Sequence, residues 1–263
     1  MASTIPATVP ALASQEQALA WIRAERANLT ACLDDAAGTG QHARIIALTA
    51  GLAAVLAGDG PWAEAITRHA AAVRSARYIG DRPGQATALI NLGNVRRLAG
   101  YPGAARDLEE ALGICRDLGD RLGQATTLTD LGIVRQLTGD HPGAARDLEE
   151  ALGIYRDVGD RSGEVETLND LVTLHRVRGD LRQARSCHRQ ALDLARQIGS
   201  ARDQAHALAG HGRCEIAAGR ISTAEGRLRQ ALEIFQRIGA AEAADVSAEL
   251  QALTNDRSAT QGP

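Results

Sequence analysis

Three of the histidines and two cysteines in the segment from residue 175 to residue 214 form a group whose side chains are of the kind that binds a metal ion. They are His175, Cys187, His188, His211 and Cys214. Imidazole nitrogens and thiolates are preferred ligands of zinc. The five residues form no compact ligand motif, however, and both residue types also fill hydrophobic cores. We therefore favour core packing over a zinc site, and in that case protonation of a buried histidine would be costly.

Motifs of common enzyme classes are missing from the sequence. It contains neither HExxH nor GxSxG, and all 29 basic residues are arginine, so no lysine is available for a Schiff base or a P-loop. GTGQHA from Gly38 and GDGPWA from Gly58 fit GxGxxA, but neither follows a predicted strand. We interpret these glycines as turn residues. The sequence predicts a non-catalytic protein without a cofactor or a metal.

Composition excludes several partners and locations. The net charge of −3, with acids and bases interspersed, argues against direct binding of nucleic acid. The apolar run Ile45–Gly58 is shorter than the roughly 20 residues that cross a bilayer.

Residues 1–13 have no basic start and are interrupted by Pro6 and Pro10, so we expect a disordered leader rather than a signal peptide. The four cysteines form no CxxC pair and indicate reduced thiols in the cytoplasm. The Arg and Ala content is typical of bacterial proteins.

The sequence repeats itself. The segment PGAARDLEEALGI occurs at Pro102–Ile114 and again at Pro142–Ile154. A corner motif recurs at intervals of 39, 40 and 40 residues, as GDRPGQAT from Gly80, GDRLGQAT from Gly119, GDRSGEVE from Gly159 and GSARDQAH from Gly199. A weaker copy precedes them. A fixed period of this length is typical of arrays in which neighbouring units bury each other's faces.

Each repeat predicts two α helices. In the unit that begins at Gly119, apolar residues recur at helical spacing on both sides of Gly139. The two apolar faces consist of Ala125, Leu128, Leu131 and Val134, then Ala144, Leu148, Ala151, Leu152 and Tyr155. Gly159 is suited to end the second helix, and Asp160 to cap the next one. No strand-like alternation is present. The sequence therefore predicts an all-α protein, an α-solenoid.

The repeat resembles the tetratricopeptide repeat (TPR). Leu131-Gly132, Gly139, Ala144, Leu148 and Ala151-Leu152 fall at TPR spacing, and the unit from Gly80 has the same pattern. The period of 40 exceeds the usual value of about 34 and resembles a long-helix TPR variant. The resemblance implies a right-handed superhelix of about five helix pairs with flanking N- and C-terminal helices.

We expect a single TPR domain over residues 14–253. It begins with a helix at about 15–37. The units lie near 40–79, 80–118, 119–158, 159–198 and 199–238, followed by a capping helix at 240–253. That helix packs Val246, Leu250 and Leu253 inward and exposes Glu242 and Glu249 as a polar cap. Residues 254–263 are expected to be a disordered tail.

The N-terminal part adds a second resemblance. Residues 16–21 (EQALAW) and 25–29 (ERANL) look like the segment that opens the C-terminal TPR array of bacterial STAND-type and antibiotic-regulatory-type transcriptional regulators. The resemblance implies a sensor or docking role rather than ATPase activity.

The TPR resemblance also implies a binding surface, because the first helix of each pair lines the concave side of a TPR array. The residues carried over to this surface are Asn94, Arg97, Thr126, Thr129, Ile133, Gln136, Glu166, Asn169, Thr173, Arg176, His206 and Arg213, with Asp130 and Asp170 at its edge. Arg97, Gln136 and Arg176 lie one repeat apart. A row of long donors is suited to hold a carboxylate or a peptide backbone. An ordinary solvated face is the alternative.

Three hypotheses of function follow. The first, which we favour, is a scaffold or regulatory adaptor that binds a protein or peptide in the concave groove. The second is a sensor of a signal peptide or small ligand. The third is a metal-dependent enzyme that uses the His/Cys group. We expect no contact with membranes, and the end helices leave pairing of two copies open.

Overall fold

The computed structural model describes residues 15–58 and 61–260, and the predicted leader at 1–13 lies outside them. The described residues form fourteen α helices and no β-strand, which confirms the all-α class. Internal contacts divide the chain after Gly119 into two compact units. The helices of the first unit are α1 (Gln15–Ala24), α2 (Arg26–Gly38), α3 (His42–Gly51), α4 (Ala53–Gly58), α5 (Trp62–Ile79), α6 (Arg82–Leu98) and α7 (Ala104–Leu118). Those of the second unit are α8 (Arg121–Leu137), α9 (His141–Val158), α10 (Arg161–Val177), α11 (Leu181–Gln197), α12 (Ala201–Ala217), α13 (Ile221–Arg237) and α14 (Glu242–Thr260).

The first unit begins less regularly than the sequence predicts. The single helix expected at 15–37 is two helices, α1 and α2, with Glu25 between them. The weak repeat at 40–79 has three helices instead of two, because α3 ends at Gly51 and a new helix starts after Leu52. Glycine is a poor helix former, which is consistent with a break there.

The corner motif encodes helix ends, as predicted. Gly119 and Gly159 adopt the left-handed conformation, with φ of 69° and 76°, which costs glycine little. The following aspartates cap the next helices: Asp120 Oδ1 accepts from Gly123 N at 2.9 Å, and Asp160 Oδ1 from Gly163 N at 3.1 Å. Glycine therefore ends one helix and aspartate starts the next.

Paired helices approach closely where one of them carries glycine. A Cβ added to Gly132 of α8 would lie 2.7 Å from Leu148 Cγ and 3.4 Å from the Ala144 carbonyl oxygen of α9. A Cβ added to Gly93 would likewise lie 2.7 Å from Leu108 Cγ, and one added to Gly212 would lie 2.9 Å from Leu228 Cγ. We call these the Gly–Leu contacts. They show why a small residue is needed opposite a buried leucine.

The C-terminal helix closes the second unit. Val246 of α14 is buried, and Leu250 and Leu253 pack against the same core, as predicted. Glu242 and Glu249, expected as an exposed polar cap, are partly exposed, and their carboxylates form ion pairs with α12. The helix also continues to Thr260 instead of giving way to a disordered tail at 254, and residues 261–263 lie outside the described part.

None of the helices in the described residues is both long enough and apolar enough to span a bilayer. The boundaries expected for a single TPR domain, at residues 14 and 253, stay a prediction.

We expect Gly132→Ala to destabilise the fold and Gly153→Ala to leave it unharmed. The added methyl group at Gly132 would overlap Leu148, and overpacking of this kind costs about 1–3 kcal/mol. Gly153 lies on an exposed face of α9, where a Cβ meets nothing within 4 Å. There the better helix propensity of alanine adds up to about 1 kcal/mol. Urea unfolding measures the free energy of unfolding of wild type and of both variants. Equal changes in the two variants would contradict the Gly–Leu contact.

Candidate binding site

Helix α10 exposes one narrow stripe of side chains in its middle. Its other faces are covered by α9 and α11, and it also contacts α8 and α12. The side chains of this stripe are Glu166, Asn169, Asp170, Thr173 and Arg176, whereas His175 in the last turn is partly exposed on the opposite side of the helix. All four residues of α10 that the sequence assigned to the binding surface therefore face solvent together.

Helix α8 has a matching stripe. Thr126, Thr129, Asp130, Ile133 and Gln136 are partly exposed at helical spacing, while the residues between them are mostly buried. The two helices contact each other, and Thr129 Oγ1 lies 3.2 Å from Thr167 Oγ1 of α10. We call the combined stripes of α8 and α10 the α8–α10 face.

Hydrogen bonds within the fold use some of these polar groups and leave others free. Thr129 donates to the Ala125 carbonyl at 3.1 Å, and Thr173 donates to the Asn169 carbonyl at 3.2 Å. Within the described part of the chain, the side chains of Gln136, Asn169 and Arg176 have neither a hydrogen bond nor an ion pair. Two amides and one guanidinium are therefore free to bind an external group.

Charge differs between the two ends of α10. Partial burial, followed by the neighbouring carboxylates of Asp203 and Asp160, raises the pKa of Glu166. Arg176 lies on the same stripe ten residues later, which corresponds to about 15 Å along a helix. The α8–α10 face is thus acidic at one end and basic at the other.

The predicted residues of α12 are engaged by neighbouring helices. Arg213 donates from Nη2 and Nε to the Glu249 carboxylate of α14, at 2.6 and 3.0 Å. His206 Nε2 lies 3.4 Å from Glu242, and its ring packs edge-on against Phe235 at 5.1 Å. The pairing of these side chains with α13 and α14 was not foreseen from the sequence. Their role in binding stays a prediction.

Asn94 and Arg97 lie on α6 of the first unit and bind each other. Arg97 Nη2 donates to Asn94 Oδ1 at 2.6 Å, and both side chains are half-buried. Of the expected row of donors, Arg97 therefore lies in the first unit, and Gln136 and Arg176 lie in the second. That row stays a prediction.

Sequence reasoning missed a cavity in the first unit. It has a volume of about 100 Å³ and lies between α3, α5 and α6. His69 and Thr49 line it; both are almost fully buried, and neither ring nitrogen of His69 nor Thr49 Oγ1 has a hydrogen-bond partner in the described structure. Burial of unpaired polar atoms costs free energy. One signal was available: His69 occupies the repeat position that holds Leu108, Leu148 and Leu228 in other units.

His188 occupies this same repeat position in α11. Val172 replaces the glycine of the Gly–Leu contact opposite it. The ring instead packs on α12, where a Cβ added to Gly210 would lie 2.0 Å from His188 Cε1. Burial lowers the pKa of His188 to about 3, with the charges of His211, Arg176 and Arg213 acting in the same direction. Burial likewise lowers the pKa of His69 to about 4.

The His/Cys group does not offer zinc coordination. The rings of His188 and His211 stack with centroids 6.3 Å apart, and His211 Nε2 faces Glu215 Oε1 at 3.3 Å. Burial raises the pKa values of Cys187 and Cys214, which favours the thiol form. In the described ranges, no three His, Cys, Asp or Glu side chains are placed to hold a metal ion. Four of the five side chains, all except that of His175, are buried as core side chains are.

We expect acid to destabilise this fold through its buried histidines. The pKa values of about 4 for His69 and about 3 for His188 lie below the value of about 6.5 in an unfolded chain. The unfolded chain then binds more protons below pH 6.5, so stability is complete above that pH and is lost as the pH falls towards 4. By pH 5 each histidine lowers the free energy of unfolding by about 2 kcal/mol.

Comparison of wild type with His69→Leu isolates one histidine, because leucine is native at the equivalent position of α7. Urea unfolding at pH 7 and pH 5 is expected to show a pH dependence smaller by about 2 kcal/mol in the variant. An unchanged pH dependence would refute the assignment to His69.

Solved structures share this fold. BtubC (BKLC) from P. vanneervenii matches with a TM-score of 0.72 and 20% identity, over 83% of this chain and 92% of that one. A STAND protein with a tetratricopeptide repeat sensor from Pyrococcus horikoshii matches with a TM-score of 0.68 and 15% identity, over 92% of this chain but only 41% of that one. A Rap protein complexed with Competence and Sporulation Factor gives 0.60 and 13%, over 82% and 65%. At these identities the likeness concerns the fold alone.

No curated protein matches the sequence at a significant level. The sequence profile of the tetratricopeptide repeat, in contrast, matches residues 44–112, 101–157 and 164–237, which together make up well over half of the chain. These segments contain the Gly–Leu contacts, the whole of α8, and α10 from residue 164 onward, with every residue of the α8–α10 face. The chain belongs to the tetratricopeptide repeat family.

Proposed function

We propose that this chain is a non-catalytic scaffold or regulatory adaptor that binds a peptide or protein segment on the α8–α10 face. The observation that carries the proposal is the set of free polar groups on this face, those of Gln136, Asn169 and Arg176. Each amide offers both donors and an acceptor, which suits the main chain of an extended segment. The guanidinium suits a carboxylate.

The charge pattern of the face orients the bound segment. A carboxylate of the partner binds Arg176, and a cationic or hydrogen-donating group lies towards Glu166. Electrostatic complementarity of this kind contributes to specificity and to the rate of association more than to affinity.

The TPR family and its structural neighbours support a role in interaction. One neighbour is a Rap protein in complex with a factor, and another is a STAND protein whose TPR region is described as a sensor. A regulatory adaptor is consistent with both.

A second candidate function is that of a sensor for a signal peptide or small ligand. The cavity beside His69 favours the small-ligand form of this function, because unpaired buried polar atoms line a space that suits a small polar group. A neutral imidazole offers one donor and one acceptor to such a group.

Affinity capture from a lysate of the source organism tests the first function. Wild type is compared with Asn169→Ala/Arg176→Glu and with the control Arg189→Glu, which makes the same charge change on an exposed site of α11. We expect a partner retained by wild type and by the control to be lost from the double variant by at least about tenfold, since hydrogen bonds to a charged group contribute about 1.5–3 kcal/mol. Circular dichroism verifies folding, and an identical catch from all three proteins would refute the α8–α10 face.

Thermal unfolding tests the second function. A low-molecular-mass extract fraction is expected to raise the Tm of wild type, since a ligand that binds only the folded state stabilises it. The same fraction is expected to raise the Tm of His69→Leu by less. Equal stabilisation of both proteins would exclude the His69 cavity.

A further inference from the structure

A larger cavity opens in the first unit between the second helices α5 and α7, with α6 beneath it. Its volume is about 460 Å³, within the range of about 300–1,000 Å³ common for small-molecule sites. Val73, Leu89 and Leu92 supply a buried apolar floor. Four arginines, Arg74, Arg77, Arg96 and Arg106, also line the cavity.

Two of these arginines are already paired. Arg77 Nη2 donates to both oxygens of Glu110, at 2.6 and 2.7 Å, and Arg96 binds Asp107. Glu110 also accepts from Gln85 Nε2 at 2.8 Å. Both carboxylates of the cavity are therefore occupied by arginine.

The other two arginines keep their charge available. Within the described residues, Arg74 and Arg106 form neither an ion pair nor a side-chain hydrogen bond, and both side chains are exposed at the cavity. With four arginines against two carboxylates, the cavity carries an excess of two positive charges. An apolar floor beneath two free guanidiniums favours a ligand that is both anionic and partly apolar.

Comparison of α5 with the equivalent helices α7 and α9 shows which residues of α5 leave room for the cavity and add to its positive charge. Aligned on Gly80 and Gly119, Ala70, Val73 and Arg74 of α5 fall at the positions of Glu109, Leu112 and Gly113 in α7. The repeated segment in α9 likewise has Glu149, Leu152 and Gly153 there. Smaller side chains on α5 leave room at the cavity, and Arg74 adds a cation where the other two helices have glycine.

We infer that this cavity binds a small organic anion. Its carboxylate or phosphate group pairs with Arg74 and Arg106, since guanidinium groups bind both anions in a bidentate manner. Its apolar part covers Val73, Leu89 and Leu92. The site goes beyond the proposed function, because it shares no residue with the α8–α10 face and stands or falls independently of it.

Isothermal titration with defined probes tests the inference. Phenyl phosphate and benzoate combine an anion with an apolar ring, whereas inorganic phosphate and benzyl alcohol each carry one of the two features. We expect saturable binding of at least one organic anion in the millimolar range, as is usual for ligands of this size, and tighter than either single-feature probe. Preference for phenyl phosphate would indicate a phosphate ester as the natural ligand, and preference for benzoate a carboxylate. Binding is expected to weaken in salt.

Matched variants locate the site. Arg74→Gly/Arg106→Ala is expected to weaken binding by at least about tenfold, because charge-assisted hydrogen bonds are lost. Arg146→Ala alters the same position of the second PGAARDLEEALGI segment and is expected to leave binding unchanged. Ala70→Leu/Val73→Leu keeps both arginines but fills the cavity, and is expected to reduce binding of the ring-bearing probe. No saturable binding by wild type, or equal binding by the double arginine variant, would overturn the inference, with circular dichroism as the check on folding.

Discussion

The close approach of two helices at a glycine determines most of this structure. At Gly132 the backbone of α8 comes so near to α9 that Leu148 packs directly on it, and an added Cβ would overlap the leucine. The same contact at Gly93 and Gly212 makes a pair of helices the unit of packing. Once a pair is formed, neighbouring helices bury the remaining apolar faces, and the middle of α10 keeps only a narrow exposed stripe. The α8–α10 face is thus a consequence of helix packing.

Departures from the Gly–Leu contact mark the unusual places of the fold. Histidine occupies the leucine position of the repeat at His69 and His188. A buried imidazole differs from leucine in shape, and in the described structure the ring nitrogens of both histidines have no hydrogen-bond partner. At His69 a small cavity lies beside the ring, whereas at His188 the ring packs on Gly210 of the next helix. Because burial disfavours the charged imidazole, these substitutions make stability depend on pH. Both positions therefore link packing to acid sensitivity, and His69 in addition borders a candidate ligand cavity.

Ion pairs between the two helices of a pair also recur with the repeat. Arg96 pairs with Asp107 across α6 and α7, and Arg135 pairs with Asp147 at the equivalent positions of α8 and α9. One repeat further on, the corresponding residues are His175 and Cys187, so the ion pair is replaced by a partly exposed histidine and a buried cysteine. Since each carboxylate in the α5–α7 cavity already has its arginine, any further arginine there adds uncompensated positive charge.

The sequence by itself determined the repeat, the helix pairs and the residues that end and cap them. These features depend on local chemistry: glycine at positive φ, an aspartate cap after it, and apolar residues at helical spacing. The resemblance to the tetratricopeptide repeat also indicated the exposed residues of α8 and α10, because the first helix of each pair lines the concave side of a TPR array. Only the tertiary structure decided which polar groups on those stripes are free, that Glu242 and Glu249 bind α12, and that cavities lie beside His69 and Arg74. Those outcomes depend on side chains far apart in the sequence, whose distances no local pattern encodes.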